Sequence, residues 1–265
     1  MKKRIDMLDM NKRGQVTIFI ILGIIIVALG IIFYMFYPQI RATFGFEVQS
    51  PYGFMQSCLE EDIANAATAV ALHGGSIAPV FNYSYLNEEM EYLCYTNEYY
   101  KTCTVQQPFL INHIEEEIEN EIKGKVNECF NELEDSFRDR GYDVVLRQSD
   151  FKVDLLPKRI ALNTNTTLSL KKEDTATYES FNIGFTNSLY DLASIAQNII
   201  EWEATYGDSE TTAYMDYYHD LKIEKIKQTD GTTIYIISDK NTGDKFQFAS
   251  RSVAWPPGYW NEKFE

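Results

Sequence analysis

The chain has 265 residues, 39 acidic against 24 basic side chains and a formal charge of −15, with 45% hydrophobic and 14% aromatic residues. This balance excludes a nucleic-acid binder, which needs clustered Lys or Arg against phosphate, and the apolar and aromatic content excludes a disordered acidic tail. Beyond residue 41 there remain 18 basic and 37 acidic groups, near −19, so the acidity belongs to a folded surface and not to the N-terminal segment.

Residues 1–15 form a basic tail containing Lys2, Lys3, Arg4, Lys12 and Arg13. The next stretch, VTIFIILGIIIVALGIIFYMFY from Val16 to Tyr37, carries no charge over 22 residues. At about 1.5 Å per residue such a helix spans about 33 Å, enough to cross a hydrocarbon core. A soluble helix of that length would show a polar stripe, and a cleaved secretory core would be shorter. Basic residues precede the stretch and only Arg41 follows closely, which puts the N-terminus in the cytoplasm and residues 42–265 outside. Tyr34 and Tyr37, followed by Pro38, match the aromatic belt and helix stop at the outer surface. The expectation is a single-pass cell-membrane protein with the lipid bilayer as its first partner.

Lys12-Arg13-Gly14-Gln15, set directly before the apolar stretch, resembles the archaeal class III (type IV pilin-like) signal segment. The resemblance implies cleavage between Gly14 and Gln15 with the helix retained. Pilin-like subunits carry Glu at the fifth mature position, where this chain has Phe19, so the resemblance extends to processing more than to filament assembly. Cys58, Gly74, Gly75 and Cys129 are further similar to archaeal single-pass membrane-anchored families in which an early Cys-bearing helix ends in a Gly pair and a later helix holds a second Cys. That resemblance implies placement and fold, and no activity.

Cys58, Cys94, Cys103 and Cys129 all lie beyond the apolar stretch. An even count in an oxidising compartment favours disulfides. Of three connectivities, spacing favours Cys94 with Cys103 across a turn-like segment, leaving Cys58 with Cys129. Separations of 36, 9 and 26 residues lack the close pairs of a zinc site, so neither metal nor cofactor is expected. Asn82 and Asn165 open N-glycosylation sequons, usable only in a translocated segment.

Apolar spacing predicts a helix over 52–72, stopped by Gly74-Gly75, then short strands in the Tyr-rich stretch 77–105. A long helix should run from Pro108 to Arg138, with an apolar stripe from Ile114 to Phe137 and Glu115, Glu116, Glu117, Glu119 and Glu121 on the solvent side. Period-two segments at 142–147, 151–156 and 159–170 predict an antiparallel meander with a polar stretch at Asn163–Thr167. A helix over 185–206 and strands at 221–226, 232–238 and 245–249 follow, with Asp230-Gly231 and Thr242-Gly243 as hairpin signals. The sum is an α+β fold, helices packed on one antiparallel sheet, with a sub-boundary near 206–218.

No residue set identifies a reaction. His73, His113 and His219 stand in no ligand pair, and Ser149-Asp150-Phe151-Lys152 meets the S-x-x-K pattern on a strand entry where a helix start is required. The tyrosines at 83, 85, 92, 95, 99 and 100 and the terminal Trp255–Trp260 segment could stack on sugars or partners, but sheet packing and membrane contact explain them as well. The reading is a non-enzymatic envelope component contacting envelope proteins or glycans. An anchored hydrolase of envelope polymer and a pilin-like subunit are the alternatives.

Overall fold

The computed structural model describes residues 50–256, together with Gly23 and Ile26. The chain divides into two compact units, Met1–Ser50 and Pro51–Glu265. The expected membrane span at 16–37, Gly23 and Ile26 apart, and the Gly14–Gln15 junction lie outside the described residues. Among the described residues no helix is long and apolar enough to cross a membrane.

The second unit begins with α1 (Pro51–Leu72), which buries Met55, Leu59, Ile63, Ala66, Ala67 and Val70, one side of the helix at spacings of three and four. Gly75 donates its N–H to the Val70 carbonyl at 2.7 Å, closing the helix in a left-handed cap with Gly74 at φ +85° and Gly75 at φ +114°. The cap is also a close approach, since a Cβ on Gly75 would stand 2.9 Å from Leu110 Cδ1. The chain then forms β1 (Asn82–Tyr85), β2 (Glu88–Tyr95) and the short β3 (Thr104–Val105), and enters α2 (Leu110–Asp139). Nine apolar residues of α2, from Leu110 to Phe137, are buried in a single stripe.

Strands β4 (Asp143–Arg147), β5 (Phe151–Leu156), β6 (Arg159–Thr164), β7 (Thr167–Lys171), β8 (Thr175–Tyr178) and β9 (Phe181–Thr186) form two three-stranded sheets, β4-β7-β8 and β5-β6-β9. Their registers make them two halves of one meander. The pairing Arg147↔Thr167 resumes as Phe151↔Thr164, and Leu168↔Tyr178 resumes as Thr164↔Phe181. Three residues, 148–150, oppose two, 165–166, which is a bulge that bends the ribbon. The expected polar stretch supplies the bend. Thr164 Oγ1 and Thr166 Oγ1 bond each other at 2.9 Å, Thr166 Oγ1 accepts the Ser149 N–H, and Thr164 Oγ1 donates to the Asp150 carbonyl. Both threonines are buried, so the hydroxyls occupy backbone groups that lost their ladder partners.

Helix α3 (Leu189–Tyr206) starts four residues later than the sequence predicts. Phe185 belongs to β9, where Phe181, Ile183 and Phe185 alternate inward with exposed Asn182, Gly184 and Thr186. Asn187 Oδ1 accepts the Leu189 N–H at 2.8 Å and sets the true start. After Gly207, left-handed at φ +84°, come α4 (Thr212–Tyr217) and the strands β10 (Leu221–Lys227), β11 (Thr232–Asp239) and β12 (Lys245–Arg251). The two hairpin signals turn where expected, with Gly231 at φ +90° and Gly243 at φ +80°.

The fold is α+β, but its larger sheet is mixed. Its order is β1-β2-β12-β11-β10, with β3 also on β2, and β2 runs parallel to β12. Hairpin signals announce only antiparallel neighbours, whereas the parallel contact joins segments more than 150 residues apart. α1 packs on β9 and β12, and α3 packs on β11 and β12 and also on β5 and β6, so α1 and α3 lie between the mixed sheet and the meander, while α2 packs on α1, β4 and β5. They do not cover one sheet from one side. Cys58 of α1 is bonded to Cys129 of α2, and Cys94 of β2 to Cys103 just before β3.

Candidate functional site

Of the five glutamates expected on the solvent side of α2, Glu116 and Glu121 are exposed, whereas Glu115, Glu117 and Glu119 turn to backbone amides of the neighbouring chain. Glu119 Oε1 accepts the Val153 N–H and Glu115 Oε1 the Leu155 N–H, both at 2.8 Å, and Glu117 Oε2 accepts the Ile77 N–H at 2.7 Å. β5 is an edge strand, so Val153 and Leu155 have no strand neighbour on that side. Four helical residues rise about 6 Å and two strand residues about 6.6 Å, so alternate amides on β5 meet every fourth carboxylate on α2. Burial pushes the Glu115 carboxyl up from its ordinary value, against the Leu155 N–H that lowers it. These side chains cap an edge and leave no carboxylate pair poised for catalysis. Among the described residues no group of three His, Cys, Asp or Glu side chains is arranged to hold a metal.

The fold unites residues that sequence spacing kept apart. Ser76, buried after the glycine cap, has its Oγ 2.5 Å from Glu91 Oε2 and 2.8 Å from His113 Nε2, while His73 Nδ1 contacts the Ile77 carbonyl at 2.8 Å. Serine, histidine and glutamate meet, but the wiring is wrong for a nucleophile. A serine hydroxyl has one proton; given to Glu91, it leaves Oγ accepting from a protonated Nε2, so His113 cannot act as its base. The cluster pins the post-α1 turn to β2 and α2. Ser149 and Lys152 fall on the meander bend and on β5, with no helix between them.

Asp191 and Asp239 also converge, on the ammonium of Lys158, at 3.7 and 3.6 Å. Asp239 is held below the usual carboxylate range, first by the Asn241 N–H, and its carboxylate shapes the β11–β12 turn. A general acid needs the opposite shift. Glu203 has it, pushed up by burial, but its oxygens are occupied: the Tyr235 hydroxyl donates to one and Ser250 Oγ to the other, the latter at 3.3 Å. It ties α3 to β11 and β12 from inside the core.

Most tyrosines flagged near the β2–β3 hairpin are packing residues. Tyr92 is buried with Met90, Ile234 and Ala249, against which Tyr83, Tyr85 and Tyr95 pack. Arg251 is 9% exposed; its guanidinium lies 5.9 Å from the Tyr95 ring centre and 5.6 Å from that of Tyr99, and donates to the carbonyls of Thr96 and Asp230. Trp255 is exposed and meets Tyr100 edge-on at 4.9 Å; the segment from Pro257 onward is outside the described residues.

The candidate site is an aromatic face on α3 and α4 that sequence reading passed over. Trp202 and Tyr206, one helical turn apart, meet at a tilt of 34° with ring centres 4.7 Å apart, and Tyr217 and Tyr218 meet edge-on at 4.8 Å. All four are exposed, Tyr217 by 79%. Two cavities open beside them. One of about 300 Å³ is lined by Trp202, Ser209, Glu210, Ala213, Tyr214, Tyr217 and Tyr218. The other, about 610 Å³, shares Tyr217 and Tyr218 and adds Tyr190, Asn198, His219, Asp220 and the Lys158 carboxylate pair. The signal was present in Trp202 and Tyr206, which sit beyond the edge of the buried stripe Leu192, Ala196, Ile199 and Glu203. Concave aromatic walls with a few polar groups suit binding.

Asn165 is exposed at the meander bend, whereas Asn82 lies in β1 with its amide donating to the Pro79 carbonyl at 2.9 Å. Compared with protein-family models, curated proteins and solved structures, the chain gives no match in any of the three.

Proposed function

We propose that this chain is a single-pass cell-membrane protein that holds its α+β unit outside the cytoplasm and works there without catalysis, docking envelope partners through the aromatic α3–α4 face. The observation that carries the placement is the state of the cysteines. All four are paired, no free cysteine is left, and such pairing is characteristic of an oxidising compartment. The uncharged stretch 16–37 and its basic flank supply the anchor and its direction. The exposed rings of Trp202, Tyr206, Tyr217 and Tyr218 supply the docking surface, since planar side chains give large contact area at small entropic cost.

Protease added to intact cells tests the placement. The unit beginning at Pro51 should be shaved from unlysed cells while an N-terminal tag stays protected; a unit cut only after lysis overturns the reading. N-terminal sequencing of the membrane-extracted chain tests processing, with Gln15 expected first and an intact Met1 opposing it.

A further inference from the structure

We propose that the smaller cavity of the α3–α4 face binds an organic cation of the trimethylammonium class. The inference rests on reading that face as a contact surface, and it names what the surface recognises. Trp202, Tyr214, Tyr217 and Tyr218 line a space of about 300 Å³, the lower end of the ligand-pocket range. Aromatic rings carry negative quadrupolar potential on their faces, and a space walled by four such rings suits a cation whose charge is spread over methyl groups and whose hydration is weak. A compact, strongly hydrated primary ammonium gains less from the same walls.

One charged group in the lining, Glu210, favours a cation over a neutral occupant. Glu210 is held ionised by the Thr212 hydroxyl and N–H, the latter at 2.9 Å, and its negative charge complements a cation and rejects an anion. The adjacent cation, Lys225, is committed to Asp208 and to the Ser209 carbonyl and lies over the Tyr235 ring. The net charge of −15 adds a long-range field of the same sign as Glu210.

The test is calorimetric titration of the full chain, purified in a maltoside detergent free of ammonium headgroups, with choline and with its neutral tert-butyl isostere. Choline should bind about tenfold or more tighter than the isostere, a difference that isolates the charge from the shape. Trp202→Ala should weaken choline binding about tenfold. Tyr217→Ala, which removes a ring 79% exposed and so leaves the core intact, should weaken it several-fold. A trimethyllysine peptide titrated in parallel separates the sources: tighter binding than choline assigns the site to a modified protein partner, weaker binding to a headgroup or free metabolite, and either result upholds the cation site. Equal affinity for choline and isostere, no binding of either cation, or binding unchanged in both variants overturns it. Placement is read on cells and cation binding on purified protein, so each can fail without the other.

Discussion

Glu119 does for Val153 what a neighbouring strand would do: its carboxylate accepts the edge amide at 2.8 Å, and Glu115 repeats the arrangement two residues along β5 at Leu155. A helix thereby completes a sheet edge without adding a strand, and the same two carboxylates screen that edge from pairing with another chain. Removing the acceptor by Glu119→Ala should lower stability by about 1 to 2 kcal/mol, whereas Glu119→Gln, which keeps an acceptor oxygen, should cost less than half of that. Urea unfolding of the two variants checks it, and equal losses would mean that the charge, not the bond, is what counts.

Glu203 sets a pH dependence of definite sign. Its folded-state pKa lies above the ordinary 4.5 because burial disfavours the carboxylate. Its contribution is therefore fully present below about pH 4.5 and is lost as pH rises through the folded value. Glu203→Gln stays neutral and can still accept from Tyr235, so its stability relative to the parent should improve between about pH 4 and pH 8. Asp239 runs the other way: held below 3.8, it stabilises at neutral pH and is lost as acid protonates it. Chemical unfolding at several pH values separates the two slopes.

The two disulfides differ in leverage. Loop-closure entropy gives about 4 kcal/mol for Cys58–Cys129 and roughly 2 to 3 kcal/mol for Cys94–Cys103, because the first spans 71 positions and the second 9. Double Ser variants of each pair, compared by urea midpoint, should preserve that order. Mass spectrometry of unreduced peptides should return these two pairs alone.

Of the two sequons only Asn165 is expected to carry a glycan, because Asn82 is committed to a strand and to the Pro79 carbonyl. Peptide mapping of the chain secreted through a glycosylating host checks it. A glycan at Asn82 would mean that modification precedes folding of the β1–β2 hairpin.

Sequence legibility followed the range of the interactions. Helices α1 and α2 were readable because their apolar stripes repeat locally, and β10 to β12 because Gly231 and Gly243 mark their turns. β8 and β9 were not read: Lys171 to Ser180 is polar and mostly exposed, and Phe185 passed for the first turn of α3. The parallel pairing of β2 with β12 leaves no local trace. Glu115 and Glu119 looked like a solvated face because composition cannot show that an edge strand lies opposite. Trp202 and Tyr206 were hidden by an otherwise regular helix, and Tyr217 and Tyr218 by an unrecognised short one.

The longer disulfide also decides how the unit would respond to tension. Pulled from its two ends, the chain is short-circuited at Cys58 and Cys129, and the 71 positions between them cannot pay out. At about 3.4 Å per extended residue that withholds about 240 Å of contour. The Cys94–Cys103 link lies inside the withheld loop and adds nothing to it. Stretching would then unravel the meander and the last three strands, while α1 and α2 stay riveted together at Cys58 and Cys129.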